Sequence, residues 1–167
     1  MAAGSIIDRL SDPALVAVCA DAEALPRSIL SPAVVVPDQW VALIERVDGR
    51  RRLVPAGEEP RPQRDEIILF ARNRPIKVPL SVEGAAADKH DVTLTGQLLV
   101  RWQARADELA ALRRTLLDSG QLTVEQLAER IAAAGAEPAL QRFLRENPAA
   151  RLVHEDVREE LEGVLRE

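Results

Sequence analysis

The densest group of residues able to hold a metal or move a proton is Asp88, His90 and Asp91, within residues 88–91. Two carboxylates and an imidazole are suitable ligand atoms, but a metal site needs three or four of them converging on one point. Asp is also favoured in turns, where its side chain bonds the neighbouring backbone. The cluster is read first as a hairpin tip, and second as a metal or small-ligand site. His154 stands just before a helical stretch with no nucleophile near it in sequence, so no base–nucleophile pair can be assembled. Glu58-Glu59 and Asp65-Glu66 are carboxylate pairs in a segment rich in Pro and charge. Acid–base work needs a dry setting that shifts a pKa, and solvated charge explains these pairs better. No GxGxxG or GxxxxGK[ST] loop occurs to cradle a phosphate. The expectation is a protein that is not an enzyme, with no catalytic residue, no cofactor and no metal.

Cys19 is the only cysteine, which rules out an intramolecular disulfide and a cysteine-based zinc site. The aromatics are Trp40, Phe70, Trp102 and Phe143, too few for a base-stacking platform. The net charge of −5 also opposes a phosphate-binding surface, so nucleic acid is not expected as a partner. Within this acidic chain, Arg50, Arg51, Arg52, Arg61, Arg64, Arg72, Arg74 and Lys77 concentrate positive charge in the first half. Protection of strand edges by charge is the simplest explanation. The functional alternative is an interaction surface comprising Arg50, Arg51, Arg52, Arg72, Arg74 and Lys77. Such a basic end could meet the acid-rich helical end of a second copy, giving a homo-oligomer. It could also meet a protein partner or an anionic membrane surface.

These side chains must be positioned by a sheet followed by helices. Residues 1–32 read as a helical or irregular lead-in, with Asp12-Pro13 resembling a helix start and the apolar run 13–20 a short helix. That run is far below the roughly 20 residues needed to span a bilayer. The chain is therefore expected in the cytoplasm, at most peripheral to a membrane. Strand candidates follow at 33–36, 41–47 and 50–54, the last two joined at Asp48-Gly49 in the manner of a type I′ hairpin. Residues 55–66 form a loop, 67–71 a compact apolar run, and 76–81 an alternating strand in which Pro79 marks an edge or bulge. Residues 91–103 alternate most clearly, with Val92, Leu94, Gly96, Leu98, Val100 and Trp102 on one parity. Helical spacing takes over at 107–118, after Thr123, from Pro138 to Asn147, and from Glu155 onward. The class is α+β: an antiparallel, strongly twisted sheet over about 33–103 packed with C-terminal helices over about 105–167. The 47% hydrophobic content suffices for a core, with residues 33–167 as the main domain. The last helix reaches Glu167 without a capping signal, leading to the expectation of a longer parent protein.

The segment VVVPDQWVALIERVDGRRRLVPAG resembles the opening of the SPFH, or band 7, domain of stomatins, prohibitins and flotillins. In that family a strand ends in Val-x-Pro, an apolar strand and a Gly turn follow, and a Pro-Gly pair introduces the next loop. The matching positions here are Val35, Pro37, Val41 to Ile44, Gly49, and Pro55 with Gly57, where Ala56 separates the usually adjacent Pro and Gly. The family's Asp-tipped hairpin and long alternating strand are similar to residues 88–102, and its helical tail is similar to the helical stretches from residue 107 onward. The family's membrane-inserting N-terminal hairpin has no counterpart in the sequence, and neither has the strand expected after its last helix. What the resemblance implies is an oligomerising scaffold, often membrane-associated, that works by surface complementarity. The alternatives are a ligand- or metal-binding domain or enzyme using the 88–91 loop or a pocket between sheet and helices, or a monomeric peptide adaptor at a strand edge.

Overall fold

A computed structural model describes residues 6–25, 34–117, 119–154 and 157–165. The class is α+β, with antiparallel strands and C-terminal helices. The chain divides into two compact units, one formed by residues 1–76 and 99–125, the other by 77–98 and 126–167.

The first unit is built on a five-stranded sheet. Helix α1 (Ile6–Leu10) leads into β1 (Leu15–Asp21), and β2 (Trp40–Arg46), β3 (Arg51–Val54) and β4 (Glu66–Arg72) follow. Helix α2 (Ala106–Leu116) and the short strand β7 (Gln121–Thr123) complete it. The strand order is β3-β2-β4-β1-β7 with every neighbouring pair antiparallel. Period-two alternation divides the side chains between two faces. Val18, Ala20, Ala42, Ile44, Ile68 and Phe70 share one face and form a core with Ile6, Leu10, Leu25, Val34 and Val36. The opposite parity, with Val41, Leu43, Leu69 and Ala71 all buried, lies on the side where α2 packs against β2, β3 and β4.

Strand β1 corrects the reading of residues 13–20 as a helix. It lies between β4 and β7, and successive residues from Leu15 to Val18 are all buried, so both its faces are covered and its apolar run shows no alternation. Such a run cannot be told from a buried helical turn by periodicity. Asp12, read as a helix start, instead accepts the Ala14 N–H on its side chain at 2.8 Å, a local turn that launches the strand. The short strand β7, at the sheet's other edge, also lies outside the span expected for the sheet. Of the strand expected at 33–36, Ala33 falls outside the described residues and 34–36 join no sheet, although Val36 exchanges backbone bonds with the loop after β3.

The turn after β2 differs from a type I′ hairpin. Arg46 pairs with Arg50, its N–H reaching the Arg50 carbonyl at 2.9 Å, so three residues rather than two form the loop. Gly49 carries a φ of 85° and Asp48 is not left-handed, which fits a type I turn followed by one left-handed residue.

The second unit contains most of a long hairpin, β5 (Ile76–Ala85) and β6 (Asp91–Val100), most of helix α3 (Val124–Ile131), and the helices α4 (Glu137–Glu146), α5 (Ala149–Leu152) and α6 (Val157–Val164). A wide helical turn at Ala132–Ala136, kinked at Gly135, joins α3 to α4. Pro138 sits in the first turn of α4, where its missing N–H is harmless. Leu80, Val82, Val92 and Leu94 of the hairpin pack with Leu140, Leu144, Leu152, Leu161 and Leu165. Helix α5 is an element that the sequence pattern does not announce, and residues 155–156 of the expected last helix lie outside the described ones.

Candidate interaction surface

Most of the arginines proposed for a basic surface carry a partner of their own. Arg51 stands directly opposite Glu45 across the β2–β3 ladder and donates to its carboxylate at 2.8 Å. Arg113 from α2 donates to the other oxygen at 2.6 Å, so one carboxylate clamps helix to sheet. The Glu45 side chain is 11% exposed. Burial pushes its pKa up, but the Arg51 hydrogen bond and the Arg113 charge outweigh this and hold the carboxyl below the ordinary glutamate range.

Arg50 lies 3.5 Å from Asp48 in the turn, and Arg52 donates to the Arg61 carbonyl at 2.6 Å. Arg61 in turn bonds Glu59 at 3.0 Å. Arg72 leaves the surface altogether: it is buried, and its guanidinium donates to the carbonyls of Leu15 and Asp12. Burial also lowers its pKa from the ordinary arginine value. Arg74 and Lys77 are exposed, Arg74 in the first unit and Lys77 in the second. The six residues therefore do not form one uncompensated patch: Arg51 neutralises a carboxylate, Arg72 is interior, and Arg50 faces an aspartate.

The carboxylate pairs have structural partners too. Asp65 accepts from Arg46 at 2.7 Å, a bond that holds the Asp65 carboxyl below its usual range, and Glu66 accepts the Gln63 N–H at 2.8 Å.

At the hairpin tip, Asp88 accepts the Ala149 N–H on both carboxylate oxygens at 3.2 Å, at the start of α5. An acceptor there satisfies a helix-terminal donor that would otherwise lack one. His90 lies 4.0 Å from Asp88 and is exposed. Among the described residues no group of three His, Cys, Asp or Glu side chains is placed to hold a metal ion. His154 is exposed, and its backbone carbonyl receives the Val157 N–H at 3.3 Å. Cys19 sits in β1 on the same side as Glu45 and Arg113, and burial pushes its thiol pKa up, against reactivity.

A cavity of about 460 Å³ opens in the first unit beside Trp40, Val41 and Leu53, with Gln39 and Asn73 as its polar groups. The two are already joined through the backbone, the Asn73 N–H donating to the Gln39 carbonyl at 2.6 Å. The cavity offers apolar wall but no titratable side chain.

The motifs that carry the family resemblance meet in space. The Gly57 N–H donates to the Val36 carbonyl, and the Val36 N–H to the Glu58 carbonyl, both at 2.9 Å. The Val-x-Pro end and the Pro-x-Gly loop are thus one paired structure. No family model and no curated protein matches the chain. No helix among the described residues is long and apolar enough to cross a membrane.

Two features of this surface are invisible in the sequence. Glu45 stands there as a charge on an otherwise apolar strand, and its bonds to Arg51 across the ladder and to Arg113 of α2 explain it. The second is the outer edge of β6, whose alternation is legible while its lack of a neighbour is not.

Proposed function

We propose that the chain is a non-enzymatic assembly domain of the SPFH or band 7 type, acting as an oligomerising scaffold. The observation that carries this reading is the reciprocal pairing of Val36 with Gly57 and Glu58, because it gives the two separated sequence motifs a common structural purpose. The order of elements supports it as well: an apolar strand, a Gly turn, a Pro-Gly loop, a long Asp-tipped hairpin and a helical tail follow one another as in that family.

Assembly is favoured over lipid binding by the state of the arginines. A polybasic patch attracts headgroups through uncompensated charge. Arg50 and Arg51 already face an aspartate and a glutamate, and Arg72 is buried, which leaves Arg52, Arg74 and Lys77 of the six without a carboxylate partner among the ion pairs described. Light scattering over a concentration series tests the reading, and should show a mass above that of one chain as concentration rises. Flotation with neutral and with anionic vesicles forms the second arm. A constant monomer mass would defeat the scaffold, and flotation with anionic vesicles alone would move the function to the membrane surface.

A further inference from the structure

The β5–β6 hairpin presents one edge protected against pairing and one that is not. The Ala86 N–H meets the His90 carbonyl at 2.8 Å, and both strands are ten residues long, so Ala85 faces Asp91 and Ile76 faces Val100. Ladder bonds recur at every second residue. Even-numbered residues of β6 therefore bond β5, while Asp91, Thr93, Thr95, Gln97 and Leu99 direct their N–H and C=O groups outward. On β5 the corresponding outward positions include Pro79, which has no N–H to offer, together with Lys77 and Glu83. Both residue types are ordinary blocks to edge pairing. On β6 the one charged outward position is Asp91, at the strand's start, and the stretch VTLTGQLLV that follows has neither a proline nor a charge. Among the described residues β6 has no second neighbour, and the side chains at 91, 93, 95, 97 and 99 are all exposed.

We propose that the outer edge of β6 is the pairing surface for a second copy of this chain, antiparallel and centred on Gly96, so that two hairpins form one four-stranded sheet. The proposal rests on the assembly reading above and specifies its surface.

The self-complementarity of the sequence fixes this register. With the two-fold axis at Gly96, Leu94 faces Leu98, Val92 faces Val100, and Thr95 faces Gln97 of the other copy. Asp91 then faces Arg101, and symmetry makes that opposite-charge pair twice. Shifting the axis to either neighbouring residue breaks the match of charges. Leu99, 69% exposed in the single chain, comes to lie opposite Thr93 on the same face.

Gly96 is a separate observation. It is not among the glycines with positive φ, and an added Cβ would meet no atom within 4 Å. Neither backbone conformation nor crowding within the chain calls for glycine, which weakens a strand interior. On a two-fold axis it sits at a non-hydrogen-bonded pair, where opposing Cα atoms come to about 4.5 Å. Close approach of a second backbone is a recurrent reason for glycine in a strand.

The test uses the full chain and three charge variants in sedimentation equilibrium. Asp91→Arg and Arg101→Asp each place two like-charge pairs across the dyad, and each should weaken self-association by about tenfold or more. The double exchange, Asp91→Arg with Arg101→Asp, should restore it to within about threefold of the original, since the pairs are re-formed with their signs reversed. Thr95→Pro, at an outward position like that of Pro79, should abolish association while leaving the β5–β6 ladder intact. Failure of the double exchange to recover, or unchanged association in the single variants, overturns this edge and leaves assembly through another surface standing. A parent chain that stays monomeric at every concentration overturns both.

Discussion

Arg72 stands directly opposite Trp40 in the β2–β4 ladder, with its guanidinium carbon 5.2 Å from the indole ring centroid. The same guanidinium donates to the Leu15 carbonyl at 2.5 Å and the Asp12 carbonyl at 2.6 Å. One side chain therefore caps the end of β4, covers Trp40 and fixes the segment that turns into β1. Arginine suits this arrangement because its planar fork presents several donors at once and stacks on an aromatic face.

Replacing Arg72 with Met keeps much of the apolar stem but leaves both carbonyls without these donors. Hydrogen bonds involving a charged group contribute about 1.5–3 kcal/mol each, and a cation over an aromatic ring somewhat less. Arg72→Met is expected to cost about 3 kcal/mol in urea unfolding, with Arg72→Lys recovering less than half, because an ammonium cannot reproduce the fork. A loss below about 1 kcal/mol would show that the bonds do not constrain the β1 entry.

Glu45 makes stability depend on pH in a defined direction. Its folded pKa is depressed, since Arg51 and Arg113 outweigh the cost of burial. A depressed carboxyl stabilises the fold fully above its unfolded value, about 4.3, and loses that contribution as pH falls through the lower folded value. Glu45→Gln should therefore cost about 2 kcal/mol at pH 7. The gap between parent and variant should narrow only at pH values below about 4.3. Urea titrations at neutral pH and at successive acid pH values measure it. A gap that stays constant into strong acid would mean that the two arginines do not hold the carboxylate.

The two hairpin tips have the same backbone design but different residues at the critical position. In the first, the Gly49 N–H bonds the Arg46 carbonyl and Gly49 has a φ of 85°. In the second, the Lys89 N–H bonds the Ala86 carbonyl and Lys89 has a φ of 65°. A side chain in the left-handed region costs roughly 1–2 kcal/mol, which glycine avoids at some cost in unfolded-state entropy. Lys89→Gly is thus expected to stabilise the hairpin by about 0.5–1 kcal/mol. Gly49→Lys should destabilise the first tip by a similar amount or more. Thermal unfolding of both variants checks the pair, and a destabilised Lys89→Gly would imply that the lysine side chain makes a contact outweighing its backbone strain.

The extent to which the fold was legible depends on which faces each segment buries. Strands β2, β4 and β6 could be placed within a residue or a few at each end, since turn residues bound them and β6 alternates. Strand β1 could not, because its burial on both faces erased alternation and Pro13 beside Asp12 imitated a helix start. The Asp48-Gly49 pair announced a hairpin, but its loop length was set by the Arg46–Arg50 pairing, which a dipeptide does not encode. In the candidate surface, residue types suggested charge while the partners decided its use. Nothing local distinguishes Arg72, covered by Trp40, from exposed Arg74 two residues later. The Glu45 clamp depends on α2 returning from more than sixty residues away, which periodicity does not reveal.

Gly84 and Leu144 form the tightest approach at any glycine of the described chain, an added Cβ lying 3.1 Å from the Leu144 Cδ1. Leu144 is fully buried and shares its cluster with Val82 and Leu140, so it has little room to retreat. Gly84→Val is accordingly expected to cost about 1–3 kcal/mol by overpacking, despite the better strand propensity of valine. Leu144→Ala alone should cost about 2–5 kcal/mol through the cavity it leaves. In the double variant the valine methyls enter that space, and the combined loss should fall short of the sum by about 1 kcal/mol or more. Urea unfolding of the four proteins closes the cycle. Simple additivity would mean that the hairpin and α4 do not meet at this point, and would undo the packing on which the second unit is built.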